Sequence, residues 1–168
     1  MLDSLITSKT RLRLLIKFFL NIANKGYLNG LANEFGESTN SIRKELNNLS
    51  SAGYLEKHSE NNKVIYKANA SHPLFKIIQK IVHKHLGIEE ILETVYNKIG
   101  DVKNIMILGD YAEGIDSGLI EILIVGDNIN KKYLDEITPK IELKIKRKVS
   151  FFVSNKSLKQ NSLTIFEV

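Results

Sequence analysis

The sequence predicts an α+β chain, and three observations carry that expectation. Residues 9 to 53 place apolar side chains at helical spacing, punctuated by glycines. Residues 54 to 67 switch to two short strand-like runs around a polar tip. From residue 102 onward, two runs dense in isoleucine, leucine and valine read as buried strands, followed by a helical stretch and a further strand. The expected organisation is a helical domain closed by a hairpin over residues 1–70, a helical connector over 71–100 and an α/β domain over 101–168.

Element by element, Ser8 is placed to cap a first helix whose apolar positions are Leu12, Leu15, Ile16, Phe19, Ile22 and Ala23, with Lys25-Gly26 as its stop. Leu14, Phe18 and Leu20 widen that stripe, which implies cover on two sides by a second domain or a second subunit. A second helix runs Leu28 to Phe35 and stops at Gly36. Ser38 or Thr39 then caps a third, with Ile42, Leu46 and Leu49 inward, ending near Gly53. Tyr54 to His58 and Lys63 to Lys67 form a hairpin around Ser59-Glu60-Asn61-Asn62. Ser71 caps and His72-Pro73 opens a helix with Leu74, Ile77, Ile78, Ile81 and Val82 as its stripe, ending at Gly87. Another follows with Ile88, Ile91, Leu92, Val95, Tyr96 and Ile99. These two read as a spine between domains or a dimer seam.

Composition bounds the chemistry. The chain has 168 residues, 43% hydrophobic and 26% charged, enough for one domain or two small ones. No run approaches the ~18 apolar residues a membrane helix needs, and no cleavable signal pattern precedes the Leu12–Leu20 run, so a soluble, cytoplasmic protein without a membrane partner is expected. The absence of cysteine excludes disulfides, thiolate metal sites and a cysteine nucleophile. His83 and His85 lie two apart, on different sides of a helix, and predict no metal site. Of the +5 net charge, residues 1–70 supply most, with ten Lys+Arg against six Asp+Glu, whereas residues 101–168 balance at ten against ten. An excess of cations in one module suits phosphate binding.

The third helix carries the functional expectation. On a wheel centred on Ile42, Leu46 and Leu49 fall within about 40°, while Asn40, Lys44, Asn47 and Ser51 lie roughly opposite. Arg43 and Asn48 flank that face. Amides and a hydroxyl can read base edges, and cations can hold phosphates. Ala32, Gly36, Ile42 and Leu46 have helix-turn-helix spacing: a small residue for close crossing, a glycine turn and two apolar plugs. Glu37 departs from it, since an apolar residue is usual there. The stretch LANEFGESTNSIRKELNNLSSAGYLEKHSENNKVIYKAN resembles the winged helix-turn-helix of arsenic-repressor-like (ArsR-like) transcriptional regulators over roughly residues 8–69. The resemblance implies that the third helix enters the major groove of double-stranded DNA. Asn40, Ser41 and Asn47 would read bases, Lys44 would read bases or hold phosphate with Arg43, and Asn61, Asn62 and Lys63 would touch backbone or minor groove. The family's thiol-based metal sensing cannot carry over.

The stretch ILGDYAEGIDSGLIEILIVGD resembles, over roughly residues 100–155, the signature of minimal nucleotidyltransferases. That family uses Gly-Ser to hold triphosphate oxygens and an Asp-x-Asp strand plus a third carboxylate to bind two Mg²⁺. Here Gly109, Ala112 and Gly114 match, but Asp110 replaces the serine, Leu119 the first aspartate, Glu121 the second, and Ser150 the third carboxylate. An alkyl side chain cannot ligate Mg²⁺. The expectation is therefore a vestigial nucleotide site at Gly109, Asp110 and Glu121, with no catalytic residue, metal or cofactor.

The segment 131–147 fits a helix or a strand, and helix is favoured because a parallel sheet needs a crossover there. Lys144, Lys146, Arg147 and Lys148 read as a solvated helix end rather than a second phosphate patch. The function expected is a homodimeric transcriptional regulator, with a small-molecule or protein effector acting through its α/β nucleotidyltransferase-like domain. The rivals are a Mg-dependent nucleotidyltransferase modifying a protein or small molecule, and an inert interaction module.

Overall fold

Ser8 sits in extended conformation and its hydroxyl accepts the Arg11 amide at 3.2 Å, which starts α1 (Lys9–Leu20) as expected in the computed structural model. The structure describes residues 2–96, 98–157 and 161–168. Two compact units divide them, at Val82/His83, so the segment expected as a connector is shared between units. The chain is α+β, with seven α-helices and two sheets among the described residues.

In the first unit α1 buries Leu12, Leu14, Ile16, Phe18, Phe19 and Leu20. Cover on several sides comes from within the unit: a third helix and a strand of the hairpin contact α1, and the Phe19 ring lies 5.6 Å from that of Phe75. The helix ends at Leu20 rather than Lys25. Asn21 is extended and its Oδ1 accepts the Ala23 amide at 3.0 Å, while Asn24 Nδ2 donates to the Lys17 carbonyl at 2.9 Å. These amides satisfy the backbone locally in place of another helical turn, and Ile22, expected inward, is exposed.

A two-residue strand, β1 (Gly26–Tyr27), leads into α2 (Leu28–Phe35). Gly36, at φ +63, and the Glu37 amide, bonded to the Ala32 carbonyl at 3.0 Å, close that helix. Ser38 Oγ then accepts the Ser41 amide and starts α3 (Thr39–Ser51). β2 (Leu55–Glu60) and β3 (Lys63–Ala68) pair antiparallel from Leu55↔Ala68 to Glu60↔Lys63. Asn61 and Asn62 both have positive φ, the tight two-residue turn that suits strand twist. β1 adds to the free edge of β3, giving the order β1-β3-β2.

α4 (Phe75–Leu86) starts later than expected. Ser71 does not cap it; the Phe75 amide instead bonds the His72 carbonyl at 2.9 Å in a turn. Seating the Phe75 ring on Phe19 sets the helix rotation, so Phe75, Val82 and Leu86 face inward. Leu74, Ile77 and Ile81, expected in the buried stripe, are exposed, Ile77 at 54%.

The second unit begins with α5 (Ile88–Tyr96), which buries Ile88, Ile91 and Val95. Then come β4 (Asp101–Leu108), α6 (Gly109–Ala112), β5 (Leu119–Asp127), α7 (Lys131–Ile145), β6 (Lys148–Ser154) and β7 (Ser162–Glu167). The sheet order is β6-β5-β4-β7, with β5 and β6 parallel and the other neighbours antiparallel. α7 is the crossover that the parallel pair requires, and it continues through Pro139. Register places Ile105, Ile107, Ile120, Ile122 and Ile124 on one sheet face, all fully buried. Met106, Leu123 and Val125 form a smaller buried cluster on the other. β7 was not foreseen. No helix among the described residues is long and apolar enough to cross a membrane.

Candidate nucleic-acid interface

The amphipathic division of α3 decides which side chains a partner can reach. Ile42, Leu46 and Leu49 are buried, and Asn40, Ser41, Arg43, Lys44, Asn47, Asn48 and Ser51 are exposed. Arg43 Nη1 donates to Asn40 Oδ1 at 3.2 Å, and Ser41 Oγ lies 3.0 Å from the capping Ser38 Oγ. Neither Arg43 nor Lys44 is in a salt bridge among the described residues.

The hairpin brings a second set to the same place. Arg43 and Asn47 from α3, Asn62 and Lys63 from the turn, and Tyr27 and Tyr66 line one groove of about 370 Å³. Four of the eight residues expected to contact nucleic acid are thus brought together. Asn40, Ser41, Lys44 and Asn61 lie outside the groove lining and are exposed. Lys63 Nζ stands 4.3 Å from the centre of the Tyr27 ring, a cation–π contact.

Sequence reasoning did not single out Tyr27, Asn29, Val64 or Tyr66, which also line the groove. Val64 and Tyr66 alternate with Lys63 along β3, so strand alternation counted from Lys63 does not mark them. No local pattern marks Tyr27, because a two-residue strand has no period to detect.

A second missed group orients α3. Glu45 is almost fully buried and accepts hydrogen bonds from Ser8 Oγ and Arg11 Nε, both at 2.8 Å. Burial pushes its carboxyl up, but the Arg11 and Ser8 hydrogen bonds outweigh that and hold it below the usual carboxylate range. Glu37, the departure from the helix-turn-helix pattern, accepts from Arg13 Nη1 at 2.7 Å and from Thr10 Oγ1. Lys17 pairs with Glu34 at 3.0 Å. Three of the four cations of α1, Arg11, Arg13 and Lys17, therefore each hold an acid of α2, the turn or α3. Those of α3 and the hairpin tip hold none among the described residues.

In the basic run of the second unit two cations, Arg147 and Lys148, are engaged, while Lys144 and Lys146 are exposed and in no salt bridge among the described residues. Arg147, expected in a solvated helix end, is largely buried. Its Nε and Nη2 donate to Asp116 Oδ1 and Oδ2 at 2.9 and 2.6 Å. Tyr111, fully buried, donates its hydroxyl to Asp116 as well. Burial opposes ionisation of Asp116, but the Arg147 and Tyr111 hydrogen bonds win and lower its pKa. The Tyr111 hydroxyl is pushed up, by burial first and by Asp116 second. Lys148 pairs with Glu142 at 2.9 Å.

Gly109 takes φ +58, and a Cβ there would lie 2.4 Å from Glu121 Oε2, so the carboxylate rests directly against the turn. Glu121 is paired across the sheet with Leu108 and Ser150, while Asp110 is exposed and Leu119 is 42% exposed. No group of three His, Cys, Asp or Glu side chains that could hold a metal occurs among the described residues.

No family model matches this chain, and no curated protein matches it. Two solved structures are similar to part of it. One is Sso10a-2, a DNA-binding protein from Sulfolobus solfataricus, 20% identical over 52% of this chain and 88% of that chain, with a TM-score of 0.36. The other is the transcriptional regulator BldR from Sulfolobus solfataricus, 16% identical over 58% of this chain and 70% of that one, with a TM-score of 0.39. Both likenesses are distant and leave the ligand of this chain to its own residues.

Proposed function

We propose that the chain is a DNA-binding transcriptional regulator of winged helix-turn-helix, ArsR-like design. α3 is its recognition helix and the β2–β3 hairpin its wing. The observation that carries this reading is the groove in which Arg43, Asn47, Asn62 and Lys63 converge, with its cations in no salt bridge among the described residues and its amides exposed. Amides at base edges and cations at phosphates divide the labour of duplex recognition between reading and holding. One short helix reads few base pairs, so the protein acts as a homodimer on paired half-sites.

The second unit serves as a catalytically inactive, nucleotidyltransferase-like body for sensing an effector, dimerisation or partner binding. Leu119 and Ser150, beside the single carboxylate Glu121, support a non-enzymatic role, because Mg²⁺ needs oxygen ligands. The test is duplex binding followed against salt. The wild type loses affinity linearly in log salt, and Arg43→Glu with Lys44→Glu abolishes binding while leaving the melting temperature unchanged. Mg²⁺-dependent label transfer from ATP that vanishes in Glu121→Ala would instead establish the enzyme.

A further inference from the structure

The turn of the hairpin leaves Lys63 with two candidate partners. Glu60 stands directly opposite it as the last cross-strand pair before Asn61-Asn62, the position where opposite charges ordinarily meet. Tyr27 pairs with Ile65, two residues along the same face from Lys63, so its ring is the diagonal neighbour. The structure takes the second option. Lys63 Nζ lies 4.3 Å from the Tyr27 ring centre, and no Lys63–Glu60 salt bridge forms. Glu60 is instead 3.4 Å from His58 Nε2. Both alternatives are weak at an exposed hairpin tip, so a single ring decides which is populated.

We infer that Tyr27 is a positioning residue for nucleic-acid binding: its ring draws the Lys63 ammonium away from Glu60 and holds it in the groove beside Arg43 and Asn62, ready for a phosphate. The inference rests on the DNA-binding reading and deepens it. Tyr27 has this reach because it occupies β1, the short strand added to the edge of β3 immediately before α2. The ring takes the cation without neutralising it, whereas the Glu60 carboxylate would cancel the charge a phosphate is meant to meet. Removing the ring lets Lys63 fall back on Glu60, and the groove loses one cation without any change in composition.

The experiment measures affinity for a random-sequence duplex of about 20 base pairs, long enough for two half-sites one helical turn apart, across a range of salt concentrations. Tyr27→Leu is expected to weaken binding and to lower the slope of log affinity against log salt by about 0.9, one phosphate contact. Tyr27→Phe, which keeps the ring, retains the wild-type slope. Glu60→Gln added to Tyr27→Leu restores it, because the competing carboxylate is gone. An unchanged slope in Tyr27→Leu, or no restoration by Glu60→Gln, overturns the inference.

A second readout is independent of DNA. In the free protein the Lys63 ε-methylene protons should resonate upfield under the ring, in the wild type and in Tyr27→Phe, and return to the random-coil position in Tyr27→Leu. A random-coil position in the wild type overturns the role of Tyr27 on its own. Absence of salt-dependent binding by a wild type that keeps the upfield shift overturns the DNA-binding reading instead, and removes the phosphate with it.

Discussion

Two basic clusters in this chain look alike as strings of letters and differ in the folded molecule. Arg43-Lys44 and Lys63 stand at the surface of the first unit in no salt bridge with a carboxylate among the described residues. Arg147 and Lys148 in the second are engaged, one by Asp116 in a bidentate pair and the other by Glu142. By whole units, residues 1–82 carry twelve Lys+Arg against six Asp+Glu, and residues 83–168 twelve against thirteen. The same number of cations thus gives a strongly basic unit and a nearly neutral one. What a basic run can bind depends on whether acids fold beside it, and only tertiary structure decides that.

The sharpest way to break the contrast is Arg147→Ala. Removing a largely buried bidentate partner strands Asp116, and a loss of about 3 kcal/mol in urea-unfolding stability is expected. An equal loss of duplex affinity in folded protein would show Arg147 contacting nucleic acid. Next in size, Arg43→Glu with Lys44→Glu should lower duplex affinity by roughly 100-fold or more, while Lys144→Glu with Lys146→Glu changes it by less than about threefold. Comparable losses in both pairs would erase the distinction between the clusters.

Much of the architecture was legible because it rests on local chemistry. α2 begins at Leu28 and ends at Phe35 as read from apolar spacing and Gly36, and Ser8 and Ser38 cap as expected. α7 was legible for a topological reason, the crossover between parallel strands. The failures share a different cause. α1 was read too long because Asn21 and Asn24 compete with the helix through side-chain hydrogen bonds that periodicity does not register. α4 was read only partly right, with Val82 buried as expected but Leu74, Ile77 and Ile81 exposed, because the Phe19–Phe75 contact fixes its rotation across more than fifty residues of sequence.

In the groove, Arg43, Asn47, Asn62 and Lys63 were legible from residue type and turn geometry. Tyr27 was not, because its place depends on a strand of two residues. Glu45 was not either: a charged residue on a helix reads as solvated, and the structure instead places it almost fully buried against Arg11 and Ser8.

Glu45 supplies a further test. Its pKa is lowered on folding, so its stabilisation is present above the unfolded carboxylate value, near 4.3, and is lost as pH falls through the folded value. Glu45→Gln should therefore cost about 1–2 kcal/mol near neutral pH and flatten the acid limb of stability against pH. An undiminished acid limb in the variant would show that other carboxylates control it. The smallest expected effect is that of Mg²⁺ with ATP. With Leu119 and Ser150 beside Glu121, the melting temperature should move by less than about 1 °C, because a ligand that does not bind cannot stabilise. A clear rise, abolished by Glu121→Ala, would mean the second unit still holds nucleotide.

The most direct test of the central claim is a residue-by-residue amide NMR titration of the full chain with a short random-sequence duplex at low salt. Shifts concentrated at residues 40–47 and 61–63, with 144–148 silent, are predicted. Shifts centred on 144–148, or no change anywhere on α3 and the hairpin tip, would contradict it.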